Sequence, residues 1–226
     1  MTRTRSHQSH RAHQSHRAHR TCTAAILALA LTSSGLGLFA AFAGEKDAHA
    51  SVSISIAFDS LVQDSVSAGV MTPVEQYAAW ENGRIYTYTR VHVDNAIAGD
   101  LGTGAEAWIV TLGGVIGNVG QLVDGEAVLH VGESTLLFVR PDPKFPGLYM
   151  VTSRGQGQYG VSVDAKTKVK RLVIGNGHGA VLPPPPVPGP VVPKDGKVLA
   201  RDAIAGRPLD ETIRTVAGAW GRLHAK

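Results

Sequence analysis

Side chains with the type and spacing for chemistry fall in three places along this sequence. Near the start, His7, His10, His13, His16 and His19 recur every third residue within a small repeat, Ser9–Gln14 followed by Ser15–Arg20. Clustered imidazoles can chelate zinc, copper or nickel, but the same run also reads as a low-complexity extension of a basic leader. In the middle, Gly113, Gly114, Gly117 and Gly120 lead into Gln121, with Glu126 a little further on. Glycines between strands let a ligand approach the backbone, and Gln121 and Glu126 would flank it with polar groups. The competing reading is a long crossover or bulged connection whose glycines only solve backbone geometry. Upstream, Tyr77, Trp80, Tyr86 and Tyr88 gather around one turn. Such aromatics can form a platform for sugar or peptide, or cross-strand pairs that stabilise a hairpin. The candidate ligand or partner residues are therefore Gly114, Gly117, Gly120, Gln121, Glu126, Tyr86 and Tyr88.

The glycine run is not a dinucleotide fingerprint, because no strand–helix unit surrounds it, and no Gly-Lys-Ser/Thr makes it a phosphate loop. Outside the leader the histidines are His92, His130, His178 and His224, none of them in a ligand spacing such as HExxH. No Gly-x-Ser-x-Gly elbow is present. The single cysteine, Cys22, precedes an apolar run, so it is misplaced for lipid attachment and leaves the rest of the chain without disulfide, thiolate or cysteine ligand. No catalytic residue, metal site or cofactor is assigned.

These groups must be positioned by strands. In Arg84–Val93, Ile85, Thr87, Thr89, Val91 and Val93 share one face while Tyr86, Tyr88, Arg90 and His92 share the other, the mark of a sheet buried on one side. Asn82-Gly83 suits a type I′ turn, pairing that strand with Ala68–Trp80. Alternation also predicts strands at 51–58, 105–112, 126–131, 135–139, 148–152, 158–163 and 169–174, with a helical turn at 60–64. Short strands at this spacing, in a chain with 26 glycines, imply a barrel or sandwich rather than a parallel sheet with crossover helices.

The flanks carry the other signals. Residues 1–20 are basic, 21–44 are uncharged and apolar, and small-residue exits follow at Ala41-Phe-Ala43 and Ala48-His-Ala50. This is the layout of a secretory signal cleaved after Ala50, with Ala43 second. An uncleaved anchor over 21–44 is the alternative, and Met1 need not be the true start. The leader holds 6 of the chain's 22 basic residues and 2 of its 18 acidic ones, so the remainder is formally neutral despite a pI near 9.3. A nucleic-acid partner loses its electrostatic support, and a membrane contact is expected only if the leader is retained. Leu182–Pro193 contains seven prolines and must be extended, as a stiff spacer or as a ligand for a grooved partner. From Pro208, Leu209, Ile213, Val216, Trp220 and Leu223 form the apolar stripe of a helix that needs something to pack on, most simply its own barrel.

The runs Trp80–Val93, Leu112-Gly-Gly through Gly120–Glu126, and Val131–Phe138 resemble an uncharacterised family of exported bacterial β-domain proteins. That pattern is similar in layout to the netrin-like, or tissue-inhibitor-of-metalloproteinase-like, OB-type barrel. The resemblance spans about residues 59–163. Animal netrin-like domains use cysteines that this chain lacks, so protease inhibition is not implied and the resemblance bears on fold alone. The expected organisation is a signal segment (1–50), a mostly β domain (51–175), a Gly/Pro-rich linker (176–207) and an amphipathic C-terminal helix (208–226). The β domain is expected to be a single small antiparallel barrel, OB or netrin-like, or else a β-sandwich. The expected function is an exported, periplasmic or secreted, non-catalytic binding module of unknown partner. The alternative is a hydrolytic envelope enzyme whose site is assembled from sequence-distant residues.

Overall fold

Asn82 and Gly83 both take positive φ (51° and 76°), so the chain reverses in the tight turn that this dipeptide favours. Two long antiparallel strands result, β1 (Ser67–Glu81) and β2 (Arg84–Gly99), paired from Glu81↔Arg84 to Ser67↔Gly99. They anchor the computed structural model, which describes residues 54–175 and 198–225. The leader, with its histidine repeat and its cleavage or anchor alternatives, and the Leu182–Pro193 run lie outside the described residues.

Strand β3 (Glu106–Leu112) pairs antiparallel with β2. A small separate hairpin follows, β4 (Gly114–Ile116) and β5 (Val119–Gln121). Then β6 (Thr135–Pro141) returns beside β1, giving the spatial order β6-β1-β2-β3 of a Greek key. Strand β7 (Tyr149–Val151) sits between β6 and β3, antiparallel to the first and parallel to the second. Five strands thereby close into a barrel with no free edge. This is the small barrel of OB type rather than a sandwich. A second hairpin, β8 (Gln158–Val163) and β9 (Lys170–Ile174), extends the sheet from β6.

Two cores explain the sequence pattern. Met71, Val91, Val93, Ala107, Ile109, Leu137, Val139 and Val151 fill the barrel from the inward face of each strand. Ala68, Val70, Leu136, Phe138, Tyr159 and Leu172 point the opposite way, into a layer of helices: α1 (Phe58–Gln63), α2 (Ala200–Ile204) and α3 (Leu209–Leu223). Strand β6 is therefore buried on both faces, which is why Leu136–Val139 reads as an unbroken apolar run and not as an alternation. Irregularities at Ala68/Gly69, Val70/Met71 and Pro73/Glu75 bend β1 around the barrel.

Three expectations are corrected. The strand expected at 51–58 is absent from the described part: only Ala57 makes a bridge, and Phe58, Leu61 and Val62 instead form the buried face of α1. The strand expected at 126–131 does not form: these residues lie outside every strand and Val131 is in a turn. Residues 198–207, expected as the end of the linker, belong to the packed domain. Phe58 N–H donates to Val198 O (2.8 Å), and Ala200 and Ile204 are buried. The C-terminal helix docks on its own barrel through Leu209, Thr212, Val216 and Ala219, with Ile213, Trp220 and Leu223 half-covered.

Candidate functional site

At the mouth of the barrel the inward positions change from apolar to polar. Thr87 and Thr111 face each other across β2 and β3, where deeper positions carry Val91, Ala107 and Ile109. The glycine run folds back over this end. Gly113 N–H donates to Ile85 O (2.7 Å), Thr87 Oγ1 donates to Gly113 O (2.6 Å), and Ile85 N–H donates to Gln121 Oε1 (2.8 Å). Gly114 has φ 137°, and a Cβ there would lie 2.3 Å from Thr87 Oγ1, so only glycine permits the contact. Gly117 forms the exposed tip of the β4–β5 hairpin with φ 58°, and Gly120 lies on β5 opposite Val115.

Residues 122–134 then cross the mouth, held by side chains. Gln158 uses both ends of its amide on one residue: Val128 N–H donates to Oε1 (3.0 Å), and Nε2 donates to Val128 O (2.5 Å). Gln76 Nε2 donates to Leu129 O (3.1 Å) and to Thr89 Oγ1 (3.0 Å). Two glutamines thus stand in for a neighbouring strand, which is the physical reason that alternation at 126–131 misled. Ala127 and Leu129 point into the barrel, and Glu126 is left beside them, 9% exposed.

A cleft of about 680 Å³ remains between the hairpin, the crossing segment and the barrel wall. Gln76, Thr87, Thr111, Gln121, Glu126 and Leu129 are among its lining residues. Burial pushes the Glu126 carboxyl above the usual carboxylate range; Arg154 opposes this with its Nε 3.8 Å from Oε2, and Asp142 adds to it. Arg154 is placed there by unfavourable backbone: Ser153 (φ 54°) and Arg154 (φ 58°) are consecutive non-glycine residues in the left-handed region. That turn is latched under the crossing segment by Gly155 N–H donating to Gly125 O (2.9 Å).

The candidate residues divide. Gly114, Gly120, Gln121 and Glu126 line the cleft, and Gly117 stands at the hairpin tip. Tyr86 and Tyr88 lie on the opposite, outer face of the wall and are occupied with packing. Tyr88 stacks on Tyr77 (5.0 Å between centroids) and donates its hydroxyl to Glu81; burial raises its pKa. Phe145 packs edge-on against Tyr86 and Tyr88, while Lys144 sits 4.0 Å above the Tyr86 ring and donates to its hydroxyl. These aromatics staple the β6–β7 loop to β2. Of the histidines, His130 is exposed at the cleft and His92 lies on β2 opposite Glu106. No group of three metal-ligating side chains occurs among the described residues, and no helix among them is long and apolar enough to cross a membrane.

Sequence reading passed over Gln76, Thr111 and Arg154. The signal for Thr111 was a polar residue on the face it shares with Ala107 and Ile109, whereas Gln76 is put on the inward face by the irregularity at Pro73/Glu75. Arg154 had none. No family model, curated protein or solved structure matches this chain.

Proposed function

We propose that the chain is an exported, non-catalytic binding module that engages its partner at the barrel mouth. The observation carrying this reading is the coincidence of an open 680 Å³ cleft with an apolar rim. Val115 and Leu122, which line it, are 68% and 72% exposed. Three polar side chains of the cleft, Gln121, Gln76 and Thr87, are already bonded to the protein's own backbone. Such groups shape a surface more readily than they perform acid–base chemistry. The strained Ser153–Arg154 turn beside Glu126 fits a site held in a chosen geometry. Export is supported by the layout of the leader.

The test compares the wild-type chain with Val115→Asp/Leu122→Asp in capture from an envelope and culture fraction. A partner retained by wild type and lost by the double variant, with unfolding unchanged, supports the reading. Equal capture by both overturns it.

Glu126 favours a second reading, a hydrolytic enzyme, because a carboxyl with a raised pKa in a cleft can act as a general acid. Turnover of chromogenic ester or glycoside substrates that Glu126→Gln abolishes would establish this reading over the first. A rate equal to buffer for the wild type removes it.

A further inference from the structure

The seam of the barrel uses only the first part of β1. Ser67–Met71 pair with β6 and are all buried. Past Met71 the pairing with β6 ends, and Val74, Tyr77 and Trp80 are 41%, 51% and 53% exposed. The crossing segment takes the place of β6 at first, with Gly132 N–H donating to Pro73 O (2.8 Å). At Gln76 a side chain spans the gap instead, Nε2 donating to Leu129 O (3.1 Å). Beyond that point the crossing segment is drawn elsewhere, Val128 to the Gln158 amide and Gly125 to Gly155. The cleft opens at this divergence, with Gln76, Tyr77 and Ala78 on one wall and Val128, Leu129 and His130 on the other.

The direction of the β1 backbone groups here follows from β2. Ile85 turns both of its own toward the β3 side, its N–H to Gln121 Oε1 (2.8 Å) and its carbonyl to Gly113 N–H (2.7 Å). Ile85 is the cross-strand partner of Trp80, so that pair exchanges no hydrogen bonds and Trp80 turns its N–H and C=O away from β2. Pairing continues without a shift from Glu81↔Arg84 to Glu75↔Arg90, so Ala78 and Gln76 turn theirs the same way. Among the described residues, no backbone group pairs with Gln76, Ala78 or Trp80 on that side. A row of backbone donors and acceptors at strand spacing is the template onto which an extended chain adds.

We propose that the mouth takes an extended peptide, added as a strand to β1 along Gln76–Trp80; this rests on the mouth being the binding surface and names what binds there. Alternate side chains of that peptide enter the cleft beside Ala78, where exposed Val115 and Leu122 select apolar ones. A second copy of the chain fits this edge less well. Symmetric pairing of two β1 strands about Ala78 would set Glu75 of each copy opposite Glu81 of the other, and like charges directly opposite destabilise a sheet.

The test selects phage-displayed random short peptides on the full chain. Enriched peptides should carry apolar residues at alternate positions. Made synthetically, they should slow amide exchange at Ala78 and Trp80, which is fast in the free protein, and leave Ala79, which faces β2, slow throughout. Ala78→Pro removes an N–H that the fold does not use. It should unfold as wild type does and bind the peptides about tenfold more weakly or worse. N-methylation at alternate peptide residues should give the same loss with the protein untouched. Peptides that lose Val115→Asp/Leu122→Asp but bind Ala78→Pro and tolerate N-methylation would overturn strand addition and leave the mouth as the binding surface. Peptides indifferent to every one of these changes would overturn both. A selection that enriches nothing would overturn the proposal. So would protection of Ala78 and Trp80 that rises with protein concentration in the absence of peptide, because a second copy then occupies the edge.

Discussion

Gln158→Met isolates what holds the crossing segment over the barrel mouth. Methionine fills nearly the same volume, so the change removes two hydrogen bonds and leaves the packing of a side chain whose residue is 6% exposed. Val128 loses the partners of both its N–H (3.0 Å) and its carbonyl (2.5 Å). Each bond contributes about 1 kcal/mol net, and an orphaned buried group costs about 1–3 kcal/mol. Val128 is half-buried, so water recovers part of that loss. The sum is about 2–3 kcal/mol, or a melting temperature lower by about 4–12 °C for a domain of this size. Urea unfolding should show a reduced midpoint at unchanged slope, and amide exchange at Val128 should accelerate more than at Val91 deep in β2. A stability loss under about 0.5 kcal/mol with native protection at Val128 would refute the clamp.

Three further outcomes follow from the same geometry. Gly114→Ala forces a side chain into φ 137° and against Thr87 Oγ1, so it should cost about 2–4 kcal/mol by denaturant unfolding; a neutral result would mean that the hairpin does not lie on the wall. Glu126→Gln should stabilise the protein at neutral pH. The folded carboxyl holds its proton to higher pH than the unfolded one, so its contribution worsens as pH rises through that interval. The variant's advantage should therefore shrink on acidification toward the unfolded pKa, and a pH-independent difference would contradict it. Val216→Ala should cost about 2 kcal/mol, because Val216 is fully buried between α3 and the sheet; loss of the helix without loss of stability would show that α3 does not pack on its barrel.

What sequence could and could not show follows from which forces are local. The Asn82-Gly83 turn was legible because its backbone demands two positive φ values that few dipeptides supply. The faces of β2 were legible because one side meets the core and the other meets solvent or Phe145. Residues 51–58 alternate on paper, yet Phe58, Leu61 and Val62 bury more apolar surface as one helical face against Leu136 and Phe138. Residues 126–131 alternate because Ala127 and Leu129 do point inward, but the bonds beside them come from Gln76 and Gln158, about thirty or more residues away in either direction. The cleft is assembled from β1, β2, β3, the β4–β5 hairpin and the crossing segment, so no local run could announce it. The aromatic group at the first hairpin was visible as a cluster, but its partner Phe145 comes from a distant loop.

Photo-crosslinking from two single positions tests the binding claim most directly. A photoreactive residue at Leu122 sits on the exposed rim of the mouth, and one at Trp108 sits on the outer wall beside Tyr77. In the chain's native host, position 122 should yield one discrete heavier adduct while position 108 yields none. An adduct from 108 with position 122 silent would move the binding surface to the aromatic wall and contradict the account.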